Sequence, residues 1–272
     1  MLGGRGGATD MAQIPFVGPS YNLDSRPASV QRTINLVPYP QEPGNERTKW
    51  VFKDVPGLVA YAPTTYDTIA LLNFNGTNGS TTISDVYANT TWSVQATGSL
   101  STTAPKFGSA CWSSDGLFNG RGVRSSTAFA TLGLGDFTIE CWFKSSNSTQ
   151  MAICNFIGNT NLGVFLISGN ISVSSFATVD GTLVCSSTGS GFNDNQWHFC
   201  QVVRSSLVTT VYVDGSAVAT GNDLRDYSTA AVVAVGATVA PSGASPWLGN
   251  LDDFRLTLSA RPNIVPSSQF LN

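Results

Sequence analysis

The sequence predicts an all-β sandwich preceded by an extended, proline-rich N-terminal arm. Three observations predict it. Short strand-like segments recur from about Asp67 onward, turn residues separate them, and no segment sustains a helical period. Many short antiparallel strands without helices between them pack as a sandwich or barrel. Roughly 205 residues is generous for an immunoglobulin-type domain and suits a jelly roll. No internal repeat is present, which argues against a propeller.

Residues 1–10, glycine-rich, read as a flexible tail, and Met11 looks like a fresh N-terminus. Residues 11–66 form the arm. They hold Pro15, Pro19, Pro27, Pro38, Pro40, Pro43, Pro56 and Pro63. Proline fixes φ and removes a donor, so this stretch is expected to form neither a central sheet nor a long helix. Residues 67–272 form the sandwich. Strands are expected at 69–74, 137–143, 151–157, 163–167, 171–176, 182–185, 197–204, 207–213, 230–236 and 248–258. Residues 137–143 alternate Phe137, Ile139, Cys141 and Phe143 against Thr138, Glu140 and Trp142, which gives the strand two different faces. Ser205-Ser206 is expected to join one strand pair. Asp214-Gly215 is a type I′ hairpin signal, and a third strand follows it to Gly221.

Composition excludes several classes. Only 11% of the 272 residues are charged, against about 25% in a typical soluble domain. The net charge of −3 offers no footprint for nucleic acid or anionic lipid. No apolar run reaches the roughly 18 residues of a membrane span, and the N-terminus lacks the apolar core of a signal peptide. The five cysteines, Cys111, Cys141, Cys154, Cys185 and Cys200, are an odd number without a CxxC pair. They are expected to be buried free thiols, matured in a reducing cytoplasm.

Two resemblances follow from motifs. Leu71-Leu-Asn-Phe-Asn-Gly76, Pro105-Lys-Phe-Gly-Ser-Ala110 and Gly135-Asp-Phe-Thr-Ile-Glu-Cys-Trp-Phe143 open the first. Trp197-His-Phe199, Val211-Tyr-Val-Asp-Gly215 and Gly249-Asn-Leu-Asp-Asp-Phe-Arg-Leu256 continue it. In order and spacing they resemble the laminin-G/concanavalin-A-like superfamily, over most of residues 68–272. The second lies in the arm: Ile14-Pro-Phe-Val-Gly-Pro-Ser-Tyr21, Gln31-Arg-Thr-Ile-Asn-Leu-Val37 and Val55-Pro-Gly-Leu58. These are similar to the opening of tail-accessory, or packaged-DNA-stabilisation, proteins of short-tailed bacteriophages. That similarity implies attachment to a virion through Pro15, Phe16, Val17, Pro19, Tyr21, Arg32, Asn35, Leu36, Pro56 and Gly57.

The first resemblance also raises a structural calcium ion, with Asp85, Asp252 and Asp253 as ligands and Asn75 where relatives often carry Asp. A hard cation needs several converging oxygens. Against it stands a structural role, in which Asp252 caps a turn and Asp253 pairs with Arg255 or Arg261. Glycan binding needs an exposed aromatic platform. Trp92, Trp112, Trp142, Tyr87, Tyr227 and Trp247 are available, with Trp142, Trp247 and Tyr227 as candidates and core packing as the competing role. The polar loops 145–149 and 240–245 are further recognition candidates. Catalysis has little support. His198, the single histidine, sits in a strand start, and Glu140 is the one carboxylate in its strand where a glycosidase needs two.

The expected function is therefore a non-enzymatic phage virion protein of the neck, tail or capsid surface. Portal, adaptor, tail or capsid proteins would be its partners, in many copies or as a homo-oligomer. The sandwich would decorate the particle, support assembly or touch a host surface glycan. A free-standing lectin is the alternative, and a glycan hydrolase a weaker one.

Overall fold

The computed structural model describes residues 67–87, 90–94, 98–116, 122–157, 162–175, 182–238 and 245–270, with three short strands before them. The chain divides into two compact units, Met1–Thr64 and Thr65–Asn272. In the first, β1 (Leu36–Pro38), β2 (Lys49–Phe52) and β3 (Val59–Tyr61) form an antiparallel sheet with β2 in the middle. The proline content argued against a central sheet, so this sheet is a departure from expectation. Pro38 is the last residue of an edge strand, a position that tolerates proline.

The second unit is an all-β jelly-roll sandwich. Its strands are β4 (Thr68–Leu72), β5 (Thr82–Ile83), β6 (Trp92–Val94), β7 (Ser99–Ser101), β8 (Cys111–Asp115) and β9 (Val123–Ser125). Then follow β10 (Phe137–Lys144), β11 (Met151–Ile157), β12 (Leu162–Ile167), β13 (Asn170–Ser175) and β14 (Thr182–Ser186). β15 (His198–Ser205), β16 (Val208–Val213), β17 (Ser216–Asn222), β18 (Val232–Val235) and β19 (Leu248–Thr257) complete it. The front sheet runs β17-β16-β15-β10-β19-β8-β7, with β4 also paired to β19. The back sheet runs β14-β13-β12-β11-β18-β9-β6-β5, and every pairing is antiparallel.

The alternation in β10 sets the core. Phe137, Ile139, Cys141 and Phe143 meet Met151, Ile153, Cys154, Phe156 and Val164 of the back sheet between the layers. All five cysteines are buried free thiols, and burial pushes each one above the ordinary thiol range. Arg204, like Asp223, is a charged residue buried in this interior. It lies on the Phe137 side of β15, fully buried, its guanidinium 5.2 Å from the Tyr227 ring and 5.8 Å from Phe137. Its Nη1 donates to Gly133 O at 3.3 Å, and the aromatic faces take the remaining charge.

Turn chemistry fixes the register. Asp214 (φ 49) and Gly215 (φ 83) form the expected hairpin turn. The β15–β16 turn sits one residue later than expected, at Ser206 (φ 50) and Leu207 (φ 64), because Ser205 still pairs with Val208. The short strands β5 to β9 were not foreseen, being two to five residues long with no alternation to mark them.

The sandwich has two chemically distinct ends. β10 and β15 finish and start, respectively, at one end, where Asn195 N donates to Ser145 O. At the other end β10 starts, and Leu258 N donates to Asp67 O where the chain enters the unit. Eight residues of β10 separate the two ends by about 25 Å. Edges are covered as well. Gly79 N and Ser80 O bond to Leu100 along β7, and β17 lies beside β14 where a Cβ on Gly221 would stand 2.1 Å from Val184 O. Gly221→Val should therefore cost about 1–3 kcal/mol, read as a lower urea midpoint at unchanged m-value. An unchanged midpoint contradicts this close approach.

Candidate functional site

The outer face of the front sheet is closed by its own chain. A register shift in β10–β19 places Asp253 and Phe254 opposite Cys141, just after Asp252 pairs with Trp142, and Asp253 takes φ 46. Asp252 Oδ2 accepts from Lys106 N (3.0 Å) and Phe107 N (3.1 Å). Asp253 accepts from Asn73 Nδ2 (2.8 Å) and Phe270 N (3.0 Å). Burial pushes the Asp252 carboxyl up to about 8 and the Asp253 carboxyl up to about 6. The segment from Ser259 to Phe270 lies as a strap over this face. Gln201 Nε2 donates to Pro262 O, Asn263 Nδ2 donates to Gly215 O, and Phe270 packs with Leu71, Trp142 and Phe199.

This covering corrects the aromatic-platform expectation. Trp142 is buried beneath Phe107, with the Lys106 ammonium 3.8 Å from its ring centroid. Its Nε1 finds no partner among the described residues. Burying an indole gains about 4–6 kcal/mol, more than the roughly 1–3 kcal/mol an unpaired donor costs, so packing wins. Trp247 is in the core against Phe143, and Tyr227 is buried with its hydroxyl donating to Asp223. None of the three presents a face to a ligand; of the six aromatics considered, only Tyr87 is exposed.

The metal candidates do not meet. Asn75 Oδ1 accepts from Ser109 N (2.7 Å). Asp85 accepts from Leu71 N, Tyr87 N and Trp92 Nε1. Asp252 caps the 106–107 loop. Each set of oxygens serves its own N–H donors, and among the described residues no three His, Cys, Asp or Glu side chains are placed to share a cation. Asp253 is bonded to Asn73 and Phe270, while Glu140 pairs with Arg255 and Arg261, at 2.6 and 3.5 Å. That pairing, with Gln201 at 3.1 Å, leaves Glu140 buried under the strap. Of the anchoring residues, Pro15, Phe16, Val17, Pro19, Tyr21, Arg32, Asn35, Pro56 and Gly57 lie outside the described residues, as does the 1–10 tail. Leu36 opens β1.

What the structure does bring together is a rim of polar loops at the end away from Asp67. Ser168 N donates to Ser148 O, Phe192 N to Gly169 O, and Ser190 N to Asn170 Oδ1. Gln150 Nε2 donates to Ser245 Oγ at 2.9 Å, and Ala152 N to Ser245 O. The loop 145–150 thus joins Ser245, the last residue of the second loop expected to recognise a ligand; residues 240–244 lie outside the described residues. Ser146, Ser148, Thr149, Gln150, Ser168, Asn195 and Gln196 are exposed on this rim. Ser168, Asn195 and Gln196 had not been foreseen as part of it. The signal was present in Gly189-Ser-Gly-Phe-Asn-Asp-Asn-Gln196, a turn-rich run.

His198 ties the rim down. Its Nδ1 lies 2.7 Å from Asp214 Oδ2 and its Nε2 3.0 Å from Asp194 Oδ1, and its ring packs on Phe143 and Phe192. The Asp214 bond, with Asp194 adding to it against partial burial, holds the imidazole above its ordinary range. Burial opposes both carboxylates. Even so, the bonds to His198 and to the backbone N–H of Gln196 and Phe199 keep Asp194 and Asp214 below the usual carboxylate range.

The chemistry defined here is that of a two-sheet β-sandwich with a polar loop end. The sequence pattern described as the concanavalin A-like lectin/glucanases superfamily matches residues 119–262, more than half of the chain, and the chain belongs to that family. No curated protein matches the sequence. Among solved structures, domain 4 of an extracellular GH43 arabinanase from Geobacillus stearothermophilus, in complex with arabinotriose, is similar at TM-score 0.57 and 17% identity. That match covers 73% of this chain and 95% of that one. The binding domain of Paraclostridial mosquitocidal protein 1 is similar at TM-score 0.56 and 15% identity, covering 72% and 50%. The binding domain of botulinum neurotoxin serotype G is similar at 0.53 and 14%, covering 72% and 49%. The chain thus spans about half the length of the two toxin domains.

Two outcomes are expected. Asp253→Ala removes the acceptor of Phe270 N and Asn73 Nδ2, costs about 1–3 kcal/mol, and speeds proteolytic cleavage within residues 259–270; cleavage elsewhere first contradicts it. Stability should also fall as pH rises above 6.5, the ordinary histidine value. His198, raised on folding, contributes fully below that value and loses its contribution as pH passes its folded value. Asp252 acts in the same direction from 3.8 up to about 8. Asp253 does the same from 3.8 up to about 6, so thermal melts of His198→Gln should retain only the part due to the two aspartates, and an undiminished slope in that variant contradicts the assignment.

Proposed function

We propose that this chain is a non-catalytic recognition protein of a bacteriophage particle. Its sandwich binds a host surface glycan through the polar loop end, and its N-terminal unit fastens it to the virion. The observation that carries the binding role is the convergence of loops 145–150, 168–170 and 187–196 with Ser245 at one end, while the chain enters the sandwich at the opposite end. A module tethered at Asp67 presents that rim outward. Hydroxyl and amide side chains both donate and accept, which suits the hydroxyls of a sugar. The family includes lectins, and one similar solved domain carries a bound arabinotriose. Glu140, paired with two arginines and buried beneath the strap, is poorly placed to act as a glycosidase acid.

The virion part of this proposal is supported by the arm motifs between Ile14 and Leu58, and by a separate compact unit over residues 1–64. Neck, tail or capsid proteins would be the partners.

The test has two arms. On an array of bacterial surface glycans the full chain should bind, and Asn147→Ala with Gln150→Ala should weaken binding about 5- to 10-fold, the worth of one or two hydrogen bonds. Absence of any binder defeats the recognition role. Particles purified through a density gradient should contain the chain, and deletion of residues 11–66 should remove it. A chain found only free in the lysate fits the lectin without a particle instead.

A further inference from the structure

The geometry around His198 assigns it a role beyond scaffolding. We propose that His198 is a proton-operated latch on the turn 193–196 of the recognition loop: doubly protonated, it ties that turn to the β16–β17 hairpin through Asp194, and neutral, it releases the tie while keeping the hairpin. This inference rests on the recognition role proposed above for the rim.

The argument is one of donor count. Both ring nitrogens face carboxylate oxygens, Asp214 at 2.7 Å and Asp194 at 3.0 Å. An imidazolium has two N–H donors and satisfies both. A neutral imidazole has one, and its other nitrogen turns a lone pair towards a carboxylate. One contact must then open. The two carboxylates are not equally held. Asp214 is fixed by its type I′ turn and also accepts from Phe199 N at 2.8 Å, inside the front sheet. Asp194 is held otherwise only by Gln196 N at 2.8 Å, a bond within its own loop. Losing the Asp194 contact therefore costs the sheet nothing and loosens residues 193–196, while Phe192 N to Gly169 O and Asn195 N to Ser145 O keep the loop as a whole in place.

Among the described residues, the groups packed around the ring supply no replacement donor. Phe143 from β10 and Phe192 from the loop flank it with carbon. Lys106, the cation that acts on Asp214, is stacked over Trp142. Cys200 on the same strand stays a neutral thiol through burial. The folded imidazole holds its proton above the ordinary range, which places the release on the alkaline side of 6.5.

The test is amide hydrogen exchange on the full chain, corrected for intrinsic rates, between about pH 5.5 and about pH 8.5. Protection of residues 193–196 should fall about tenfold across that range, with the hairpin 212–216 unchanged. His198→Asn should show low protection of 193–196 at both ends. Asp194→Ala, which leaves the Asp214 contact in place, should do the same with the hairpin intact, so the outcome does not depend on one variant folding. Flat protection in the unmodified chain overturns the latch, as does joint loss of loop and hairpin. Glycan binding measured over the same range separates the two ideas. A latch that opens in a chain that binds no glycan leaves the latch standing and removes the recognition role.

Discussion

Two consecutive aspartates in the middle of β19 decide how the front sheet is finished. A regular strand would send them to opposite faces. The bulge, with Asp253 in the left-handed region, instead lets Asp252 hold the 106–107 loop and Asp253 hold the C-terminal strap. Without those two acceptors, the loop and the strap would have no bonds into the sheet at this point, and Trp142 and Phe199 would face water. The cost is two buried carboxyls that resist ionisation. The fold meets it with backbone N–H donors rather than with cations. That is why Asp252, expected either to ligate a metal or to cap a turn, does the second.

Much of this architecture was legible in the sequence, and the limits have physical causes. The long strands β10, β15 and β16 announce themselves by alternation, and Asp214-Gly215 by its turn geometry. The inward row of β10 was correctly separated from Thr138, Glu140 and Trp142. What alternation cannot say is whether the second face meets water. Here a strap more than a hundred residues downstream covers it, so Trp142 passes from platform to core. The pairing of Glu140 with Arg255 and Arg261 was missed for a related reason: Asp253 is closer in sequence to both arginines, but the bulge turns it elsewhere. The rim was half-legible. Loops 145–149 and 240–245 stood out by composition, yet only the topology shows that Ser168, Asn195 and Gln196 join them.

The division of chemistry between the two ends follows from the same topology. Where β10, β16 and β19 meet their loops, exposed amides and hydroxyls stand beside the carboxylates of Asp194 and Asp214 and the side chain of Leu248. At the other end Leu134, Val208 and Leu224 are exposed beside the buried Arg204 and Asp223. The chain thus enters this unit at one pole and its polar loops gather at the other.

Gly221 has one more consequence. By letting β17 lie against the backbone of Val184, it puts the last strand of one sheet in the lee of the last strand of the other. Residues 79–80 shield β7 in the same way. An unguarded strand edge is a template on which neighbouring copies can add. With these two margins shielded, β17 and β7 offer no open ladder on which a neighbouring strand could add.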